Sequence, residues 1–286
     1  MPNKVFWNWD IHYACDYRCS YCFLAQKWDI AARENRYPGI DRWIEIWDKI
    51  YERYGSCHIH FSGGEPFTYP DFLSLISHLS EKHTLQFSTN LSFDANLFIE
   101  KMDTVRVRLD ASFHPEFTKL EEFVQKVKLF KNSGFLISIA FVAYPPYLKT
   151  METIEANCRK HQIKLVIQPF RGRYEDRVYP EGYTESDKES IRSCGGNLSD
   201  RALLNYHLNK KQEDKKCCYM GNMYGKIYAS ADVYRCCSTG SQKIGNLLND
   251  DDFRLLDKPE PCDIKDCVCW RKMVLGEEDK WKNYWA

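Results

Sequence analysis

Short apolar segments alternate with helical patterns along the first part of the chain. The apolar segments are rich in β-branched residues and bounded by turn-forming residues, as buried strands are. Between them, apolar residues recur at steps of three and four, which places them on one face of a helix. The predicted strands are Val5–Ile11, His58–Ser62, Leu85–Thr89, Val105–Leu109, Leu136–Ala143 and Lys164–Gln168. The predicted helices have apolar faces from Trp43 to Tyr54, Phe72 to Leu79, Phe123 to Phe130 and Met151 to Cys158.

This succession of six strand–helix units predicts the fold class. Consecutive βα units form a parallel sheet with right-handed crossovers, and such a sheet curls readily into all or part of a barrel. We therefore expect an α/β fold, a partial (β/α)6 TIM-like barrel, followed by a small unit. In such barrels the loops after the strands carry the chemistry.

The pattern changes after the sixth predicted strand. Residues Gly172–Lys216 are polar and aperiodic, which indicates a linker or capping helices at Glu185–Ser193 and Asp200–Asn209. The rest of the chain is dense in cysteine, with short predicted strands at Lys226–Ala229 and Val233–Arg235. So short a stretch has too little core of its own, which favours stabilisation by metal. The predicted domains are residues 1–180, the partial barrel; 181–215, the linker; and 216–286, the cysteine-rich hairpin and helix unit.

Charge and apolar composition exclude several classes of partner. Lys+Arg and Asp+Glu both count 40 in 286 residues, so no net charge favours binding to nucleic acid or to an anionic membrane. No apolar run is long enough to span a bilayer. Residues Met1–Asp10 lack the charged-then-apolar layout of a secretory signal. We expect a cytoplasmic protein with no nucleic-acid or membrane partner.

Cysteine is unusually frequent, at 13 residues. Because no secretory signal is apparent, metal ligation or redox chemistry explains this count better than disulfides do. Three cysteines, Cys15, Cys19 and Cys22, form a CxxxCxxC trio directly after the first predicted strand. Thiolates are the preferred ligands of iron–sulfur clusters, and three of them leave the fourth iron of a cubane open. Zinc is the alternative, but it usually requires a fourth ligand near such a trio.

The trio resembles the CxxxCxΦC signature of the radical S-adenosylmethionine (SAM) superfamily, with Tyr21 at the aromatic position. The resemblance implies a [4Fe–4S] cluster that binds SAM and reductively cleaves it to a 5′-deoxyadenosyl radical, which abstracts hydrogen from a substrate. A second motif, Gly63-Gly64-Glu65-Pro66, resembles the GGEP motif that holds the SAM amino group in this superfamily. Adjacent glycines let a ligand approach the backbone, and a carboxylate accepts hydrogen bonds from an ammonium group.

Later strand ends give weaker matches to the same superfamily. The expected cofactor-binding residues there are Ser88, Asn90, Ser112, Ser138 and Gln168. The expected catalytic residues are Asp110, His114 and Arg171, of which His114 is a possible proton-transfer group. Ordinary strand-end polarity is the alternative explanation for each of them.

The C-terminal cysteines resemble the SPASM or shorter twitch extension of radical SAM enzymes. A cysteine, a small hairpin, Arg-Cys and Gly-Asn-Leu follow one another from Cys218 to Leu247. Cys217 and Cys218 are adjacent, as are Cys236 and Cys237. The side chains of neighbouring residues in an extended chain point to opposite sides, so one member of each pair is not expected to bind the metal. The resemblance implies one auxiliary [4Fe–4S] cluster, with two clusters or a four-cysteine zinc site as alternatives. The candidate ligands are Cys218, Cys236, Cys262, Cys267 and Cys269.

The substrate is less constrained than the cofactor. One possibility is oxidation of a small molecule such as a sugar or cyclitol alcohol, with the auxiliary cluster accepting an electron. Another is modification of a peptide by crosslinking or epimerisation, although a trio at residue 15 leaves no room for an N-terminal leader-binding domain. An iron–sulfur electron carrier is the non-enzymatic alternative, which the GGEP match disfavours. The resemblance also implies an electron donor of flavodoxin or ferredoxin type.

Overall fold

The computed structural model describes residues 4–25, 27–194, 208, 217–261 and 264 of the chain. They belong to two compact units. The first contains residues 1–14, 32–86 and 211–286, and the second contains residues 15–31 and 87–210. Strands alternate with helices, the first strand pairs in parallel with the second and the tenth, and the fifth pairs in parallel with the fourth and the sixth, so the predicted α/β class is confirmed.

The strands and helices are as follows in chain order. The strands are β1 (Phe6–His12), β2 (His58–Gly63), β3 (Thr84–Thr89), β4 (Val107–Ser112), β5 (Leu136–Ala143), β6 (Lys164–Pro169), β7 (Gly172–Tyr174), β8 (Arg177–Tyr179), β9 (Cys217–Cys218), β10 (Tyr224–Ile227), β11 (Asp232–Tyr234), β12 (Lys243–Asn246) and β13 (Glu260–Pro261). The α-helices are α1 (Trp28–Ala32), α2 (Ile40–Tyr54), α3 (Phe72–Lys82), α4 (Ala95–Lys101), α5 (Leu120–Asn132), α6 (Met151–Lys160) and α7 (Glu185–Ser193). Short 3₁₀ helices cover Pro66–Thr68 and Pro145–Thr150.

In the first unit, β1 lies between β2 and β10 and is parallel to both. Strands β10, β11 and β12 continue this sheet in antiparallel order. Strands β9 and β13 form a separate antiparallel ladder in which Cys217 lies opposite Pro261. The cysteine-rich end of the chain therefore contributes strands directly to the sheet that contains β1.

The two faces of β1 have opposite character because successive side chains of a strand alternate. Trp7 and Trp9 are fully buried and pack against α2, where the Trp9 and Trp43 rings lie 4.7 Å apart. On the other face, Asn8 and Asp10 belong to a polar network with β2 and β10. This face is polar and the helix-covered face is apolar, so the strand cannot slip by one residue without exposing its tryptophans.

A buried ion pair lies at the centre of that polar network. Lys226 Nζ on β10 lies 2.6 Å from Asp10 Oδ1 and 2.8 Å from Asn8 Oδ1. Ser62 on β2 donates to the same Asp10 oxygen at 2.6 Å. Buried charges are tolerated when they are paired and hydrogen-bonded, as these are.

The second unit is built on a parallel sheet of β4, β5 and β6. Helix α5 buries Phe123, Val127 and Phe130 of the apolar face that the sequence predicts, whereas Leu129 on the predicted face is 39% exposed. Gly134, at φ 92°, lies two positions after the last residue of this helix, where a glycine commonly ends a helix. Helix α7 begins with a capping box in which Thr184 and Asp187 exchange hydrogen bonds.

The structure adds helices α1 and α4, which the sequence pattern does not predict, and shifts the bounds of several strands. Strand β4 starts at Val107, because residues 103–106 form a turn in which Asp103 accepts the Val105 N–H, and Val105 is 86% exposed. Strand β10 ends at Ile227 because residues 228–231 form the hairpin turn. The hairpin of β7 and β8 lies in the polar, aperiodic segment that begins at Gly172, before the predicted boundary at residue 180.

Helix α7 confirms the predicted helix at Glu185–Ser193, whereas Asp200–Asn209 lies outside the described residues apart from Leu208. The division at residues 180 and 215 stays a prediction. In the described part of the chain, every helix is too short or too polar to cross a bilayer.

Candidate functional site

The three cysteines of the trio lie on the irregular loop that follows β1 in the chain. Two backbone N–H groups of this loop point at cysteine sulfurs. Tyr17 N lies 3.3 Å from Cys15 Sγ, and Leu24 N lies 3.4 Å from Cys22 Sγ. A neutral thiol is a weak acceptor, whereas a thiolate accepts hydrogen bonds well. The loop therefore suits cysteines that are bound to metal as thiolates.

The protein alone disfavours these thiolates. Burial raises the pKa of Cys19 to about 12, and like charge from Cys22, Glu116 and Cys15 adds to the effect. Burial also raises the pKa of Cys22, against backbone hydrogen bonds and the charge of Arg18. A bound cation reverses this balance, because metal ligation deprotonates a thiol outright. The donor set, three clustered sulfurs with N–H neighbours, fits an iron–sulfur cluster.

The arrangement of the sulfurs also bears on the zinc alternative. Within the described ranges, no three His, Cys, Asp or Glu side chains converge closely enough to share a single metal ion. A cubane cluster binds its cysteines through different irons, so its ligands are more widely spaced than those of one ion. Three cysteine ligands are one short of the four that a structural zinc ion usually takes.

Polar side chains from later strand ends hold the cysteine loop in the second unit. Asn90, directly after β3, donates to Asp16 Oδ1 at 2.8 Å. Glu116, after β4, accepts from both Ser20 N at 2.8 Å and Ser20 Oγ at 2.5 Å. Tyr147 donates to the same carboxylate at 3.4 Å. Hydrogen bonds from Asn90 and to Glu116 thus hold the loop segments between the cysteines in place.

His114 lies beside the middle cysteine. Its Nδ1 lies 3.4 Å from Cys19 Sγ and 3.0 Å from the Tyr21 hydroxyl, and its ring stacks on that of Tyr21. Desolvation lowers the pKa of His114 to about 4, although Glu116 and Asp16 act in the opposite direction. The histidine predicted as a proton-transfer group therefore contacts a predicted metal ligand.

The two glycines of the second motif, in the first unit, face the chain at the end of β1. Gly63 has φ 115°, and a Cβ there would lie 2.2 Å from the His12 carbonyl oxygen. A Cβ on Gly64 would lie 1.9 Å from the Ala14 carbonyl oxygen. Gly64 N and Glu65 N each donate to one of these carbonyls at 2.9 Å. The glycines thus permit a close approach of backbone to backbone.

Glu65 is deeply buried within the same turn. Glu65 is only 1% exposed, and its Oε1 accepts a hydrogen bond from Phe67 N at 3.2 Å. The carbonyl oxygen of Glu65 lies 2.8 Å from His12 Nε2. Pro66 starts the 3₁₀ helix that follows. The carboxylate therefore has a fixed position, which an ammonium-binding group requires.

The remaining predicted residues are distributed over the second unit. Ser138 on β5 donates to Asp110 Oδ1 on β4 at 2.9 Å, and Arg108 Nε lies 3.5 Å from the same oxygen. The parallel register of the two strands brings Asp110 and Ser138 side by side. Ser88 and Ser112 are partly buried, and Gln168 and Arg171 are exposed.

Two of the C-terminal cysteines lie together in the first unit. Cys218 and Cys236 belong to one buried cluster with Phe6, Met220 and Tyr224. Pro261, the last residue before Cys262, lies on β13 opposite the neighbouring Cys217. The other three candidate ligands, Cys262, Cys267 and Cys269, lie outside the described residues.

The Cys236 sulfur lies in a turn rich in hydrogen-bond donors. Ser241 Oγ lies 3.4 Å from Sγ and also accepts from Cys236 N at 3.0 Å. Burial raises the pKa of Cys236, whereas hydrogen bonds from Ser241 and Ser238 oppose that rise. Its neighbour Cys237 is exposed. These surroundings fit a sulfur that binds metal as a thiolate.

Several contacts had no signal in the sequence. Glu116 contacts Ser20 between two predicted ligands, and Ser238 and Ser241 contact Cys236, but all three lie in irregular segments without periodicity. Lys226 pairs with Asp10 across 216 positions of sequence, which no local pattern indicates. Only the fold brings Lys226 to Asp10 and Glu116 to Ser20.

The chain is similar to known proteins in sequence and in fold. Residues 9–112, from β1 to β4, match the family model of the Radical SAM superfamily. A comparison with curated proteins finds no match.

Solved structures of similar fold include SuiB from Streptococcus suis bound to S-adenosylmethionine, at TM-score 0.61 and 16% identity over 86% of this chain and 64% of that chain. SuiB bound to the precursor peptide SuiA gives TM-score 0.61 and 16% identity, over 87% and 63% of the two chains. Native anSMEcpe with AdoMet and the Cp18Cys peptide gives 0.59 and 14%, over 85% and 77%. The chain spans less than two thirds of SuiB, and identities this low show the fold alone.

Proposed function

We propose that this protein is a radical SAM enzyme. The observation that carries the proposal is the match of residues 9–112 to the superfamily model, because this segment contains both the cysteine trio and the Gly63–Pro66 motif. The donor-rich surroundings of the cysteine sulfurs support it. An electron carrier would need the cluster but would have no use for a buried carboxylate in a glycine turn.

In this proposal each motif has one task. Cys15, Cys19 and Cys22 hold a [4Fe–4S] cluster, which when bound supplies the electron that cleaves SAM. Glu65 holds the SAM amino group by a charge-assisted hydrogen bond. Tyr21 packs beside the cysteines and keeps water from the sulfurs. Ser88, Asn90, Ser112, Ser138 and Gln168 stay candidates for the rest of the cofactor, and Asp110, His114 and Arg171 for catalysis.

We further propose a peptide as the substrate. SuiB and anSMEcpe, whose folds are similar, have been solved with bound peptides. The proposed auxiliary [4Fe–4S] cluster would be held by Cys218 and Cys236 together with cysteines beyond Pro261. The small-molecule oxidation considered from the sequence stays a prediction, as does the flavodoxin- or ferredoxin-type donor.

The central test is SAM cleavage by a variant of the trio. Cys22→Ala in the anaerobically reconstituted protein should abolish the formation of 5′-deoxyadenosine, because a cubane with two protein thiolates is poorly held. Cys158→Ala, which removes a buried thiol from α6, is the matched control and should retain the activity. Equal 5′-deoxyadenosine yields from both variants would refute the cluster assignment.

The peptide proposal needs a separate experiment. Wild-type enzyme, SAM and reductant should change the mass of a peptide encoded beside its gene, as read by mass spectrometry. If 5′-deoxyadenosine forms and sugar alcohols, but no peptide, are oxidised, the peptide substrate is wrong while the radical SAM activity stands.

A further inference from the structure

His114 forms a triangle of close contacts with two residues of the cysteine loop. Its Nδ1 lies 3.4 Å from Cys19 Sγ and 3.0 Å from the Tyr21 hydroxyl oxygen. All three residues belong to the second unit. The sequence alone suggests proton transfer for this histidine, but its ring nitrogen lies against the sulfur of a proposed cluster ligand.

The chemistry of a bound thiolate determines which atom carries the hydrogen. A thiolate bound to iron has no proton, so a hydrogen bond between Sγ and Nδ1 requires the hydrogen on Nδ1. The Tyr21 hydroxyl then accepts from the same N–H or donates to the sulfur itself. In either case the Cys19 thiolate has a neighbouring donor supplied by a side chain.

Two tyrosine rings hold the imidazole in this orientation. Tyr21 stacks on it at 5.9 Å and 24° between planes, and Tyr17 meets it edge-on at 5.9 Å and 88°. Tyr17 is itself stacked on Phe117 at 4.5 Å and bonded to Thr118 at 3.0 Å. The ring is therefore fixed by packing, which a precise hydrogen bond to sulfur requires.

We infer that His114 is a positioning residue that sets the reduction potential of the SAM-binding cluster by an N–H···S bond to Cys19. Reduction adds one negative charge to the cluster, and a donor to its thiolate stabilises the more negative state. Hydrogen bonds to ligand sulfurs are a principal determinant of cluster potentials. This inference rests on the proposed function, since it requires a cluster on the trio.

The test compares two substitutions in the full-length, reconstituted protein. His114→Phe keeps a planar ring but removes the donor, and His114→Asn places an amide N–H near the position of Nδ1. The midpoint potential of the cluster is measured without substrate, by dye-mediated titration with dithionite and electron paramagnetic resonance. Two of the proposed auxiliary-cluster ligands, Cys218 and Cys236, are replaced by alanine so that only the SAM-binding cluster is observed.

We expect His114→Phe to keep its iron and sulfide while its potential falls by about 59 mV, a tenfold change for a one-electron couple. His114→Asn should restore most of the potential. An unchanged potential in the iron-replete Phe variant, or equal potentials in the Phe and Asn variants, would overturn the inference. Absence of any four-iron signal from the protein with His114 intact would instead contradict the proposed function.

Discussion

Glu65 illustrates how a single buried residue connects fold and chemistry. Burying the Glu65 carboxylate, in a residue only 1% exposed, costs free energy unless its charge is compensated. Buried glutamates are therefore rare in proteins. The glycines before it let its turn approach Ala14 closely enough for Glu65 N to donate to that carbonyl. The residue is therefore held by its own backbone, and its carboxylate is a rigid acceptor.

Glu65→Gln tests the charge of this side chain. Glutamine keeps the size and the oxygen that accepts from Phe67 N, but it loses the attraction to an ammonium group. We expect SAM affinity to fall by about 1–3 kcal/mol, or roughly 5- to 150-fold, with an unchanged unfolding midpoint. Equilibrium dialysis with SAM measures it. Wild-type affinity in this variant would remove Glu65 from the SAM site.

Gly63→Ala tests the close backbone approach. Both Gly63 and Gly39 have positive φ, but only at Gly63 does an added Cβ meet backbone, whereas at Gly39 it meets nothing within 4 Å. We expect Gly63→Ala to lower the free energy of unfolding by about 1–3 kcal/mol more than Gly39→Ala does, as overpacking usually costs. Urea unfolding of both variants measures the difference. Equal losses would mean that only backbone conformation matters there.

The hydrophobic pattern of the sequence predicts most of the longer strands and helices. Strand β5 and helix α7 have the predicted bounds, because apolar runs in one case and polar capping residues in the other mark their ends clearly. The predicted start of β4 is two residues too early. Arg106 and Arg108 alternate with valines on both sides of the observed start, so the pattern does not show where the preceding turn ends. Short hairpins such as β7 with β8 have too few residues for a period to appear.

Only part of the candidate site can be predicted from the sequence. Cysteine spacing identified the trio, since thiolates at fixed spacing have few other uses. The loop's supports, Glu116 and Asn90, lie 96 and 74 positions away from their partners, so they depend on the order of strands. The environment of Cys236 comes from Ser238 and Ser241, which are close in sequence but lie in a turn that has no hydrophobic period to predict it.

Glu116→Ala tests one of these supports. Losing both hydrogen bonds to Ser20 should loosen the loop by about 0.5–1.5 kcal/mol, so iron should pass to a chelator roughly 2- to 10-fold faster. Glu121→Ala removes the same charge from the exposed side of α5 and is the control. Identical rates of iron loss in the two variants would show that the Ser20 contacts do not hold the loop.

Lys226→Met tests the link between β10 and β1. It leaves the Asp10 carboxylate buried without its cation, which typically costs about 3–5 kcal/mol of unfolding free energy. Adding Asp10→Asn should recover much of the loss, because no charge is then buried. Lys243→Met breaks an exposed pair with Asp232 and should cost about 1 kcal/mol or less. Equal effects of the two lysine changes, in urea unfolding, would contradict the importance of burial.

For the whole molecule, metal content distinguishes the proposed arrangements. Two four-iron clusters correspond to about eight irons per chain, and we expect Cys218→Ala with Cys236→Ala to leave about four. Iron, sulfide and zinc assays on anaerobic protein measure this. About four irons with one zinc in the wild type would make the C-terminal site structural and exclude an electron-accepting cluster.

The pairing of β10 with β1 also has a consequence for protein synthesis. Lys226 and Asn8 are 218 positions apart, and a ribosome adds roughly 5–20 residues per second, so β1 waits on the order of 10–40 s for its second neighbour. During that time the nascent chain presents an open strand edge with a partly solvated Asp10. Fragments that stop before residue 224 keep this edge permanently. We expect them to depend on chaperones or to aggregate, whatever the state of their cysteines.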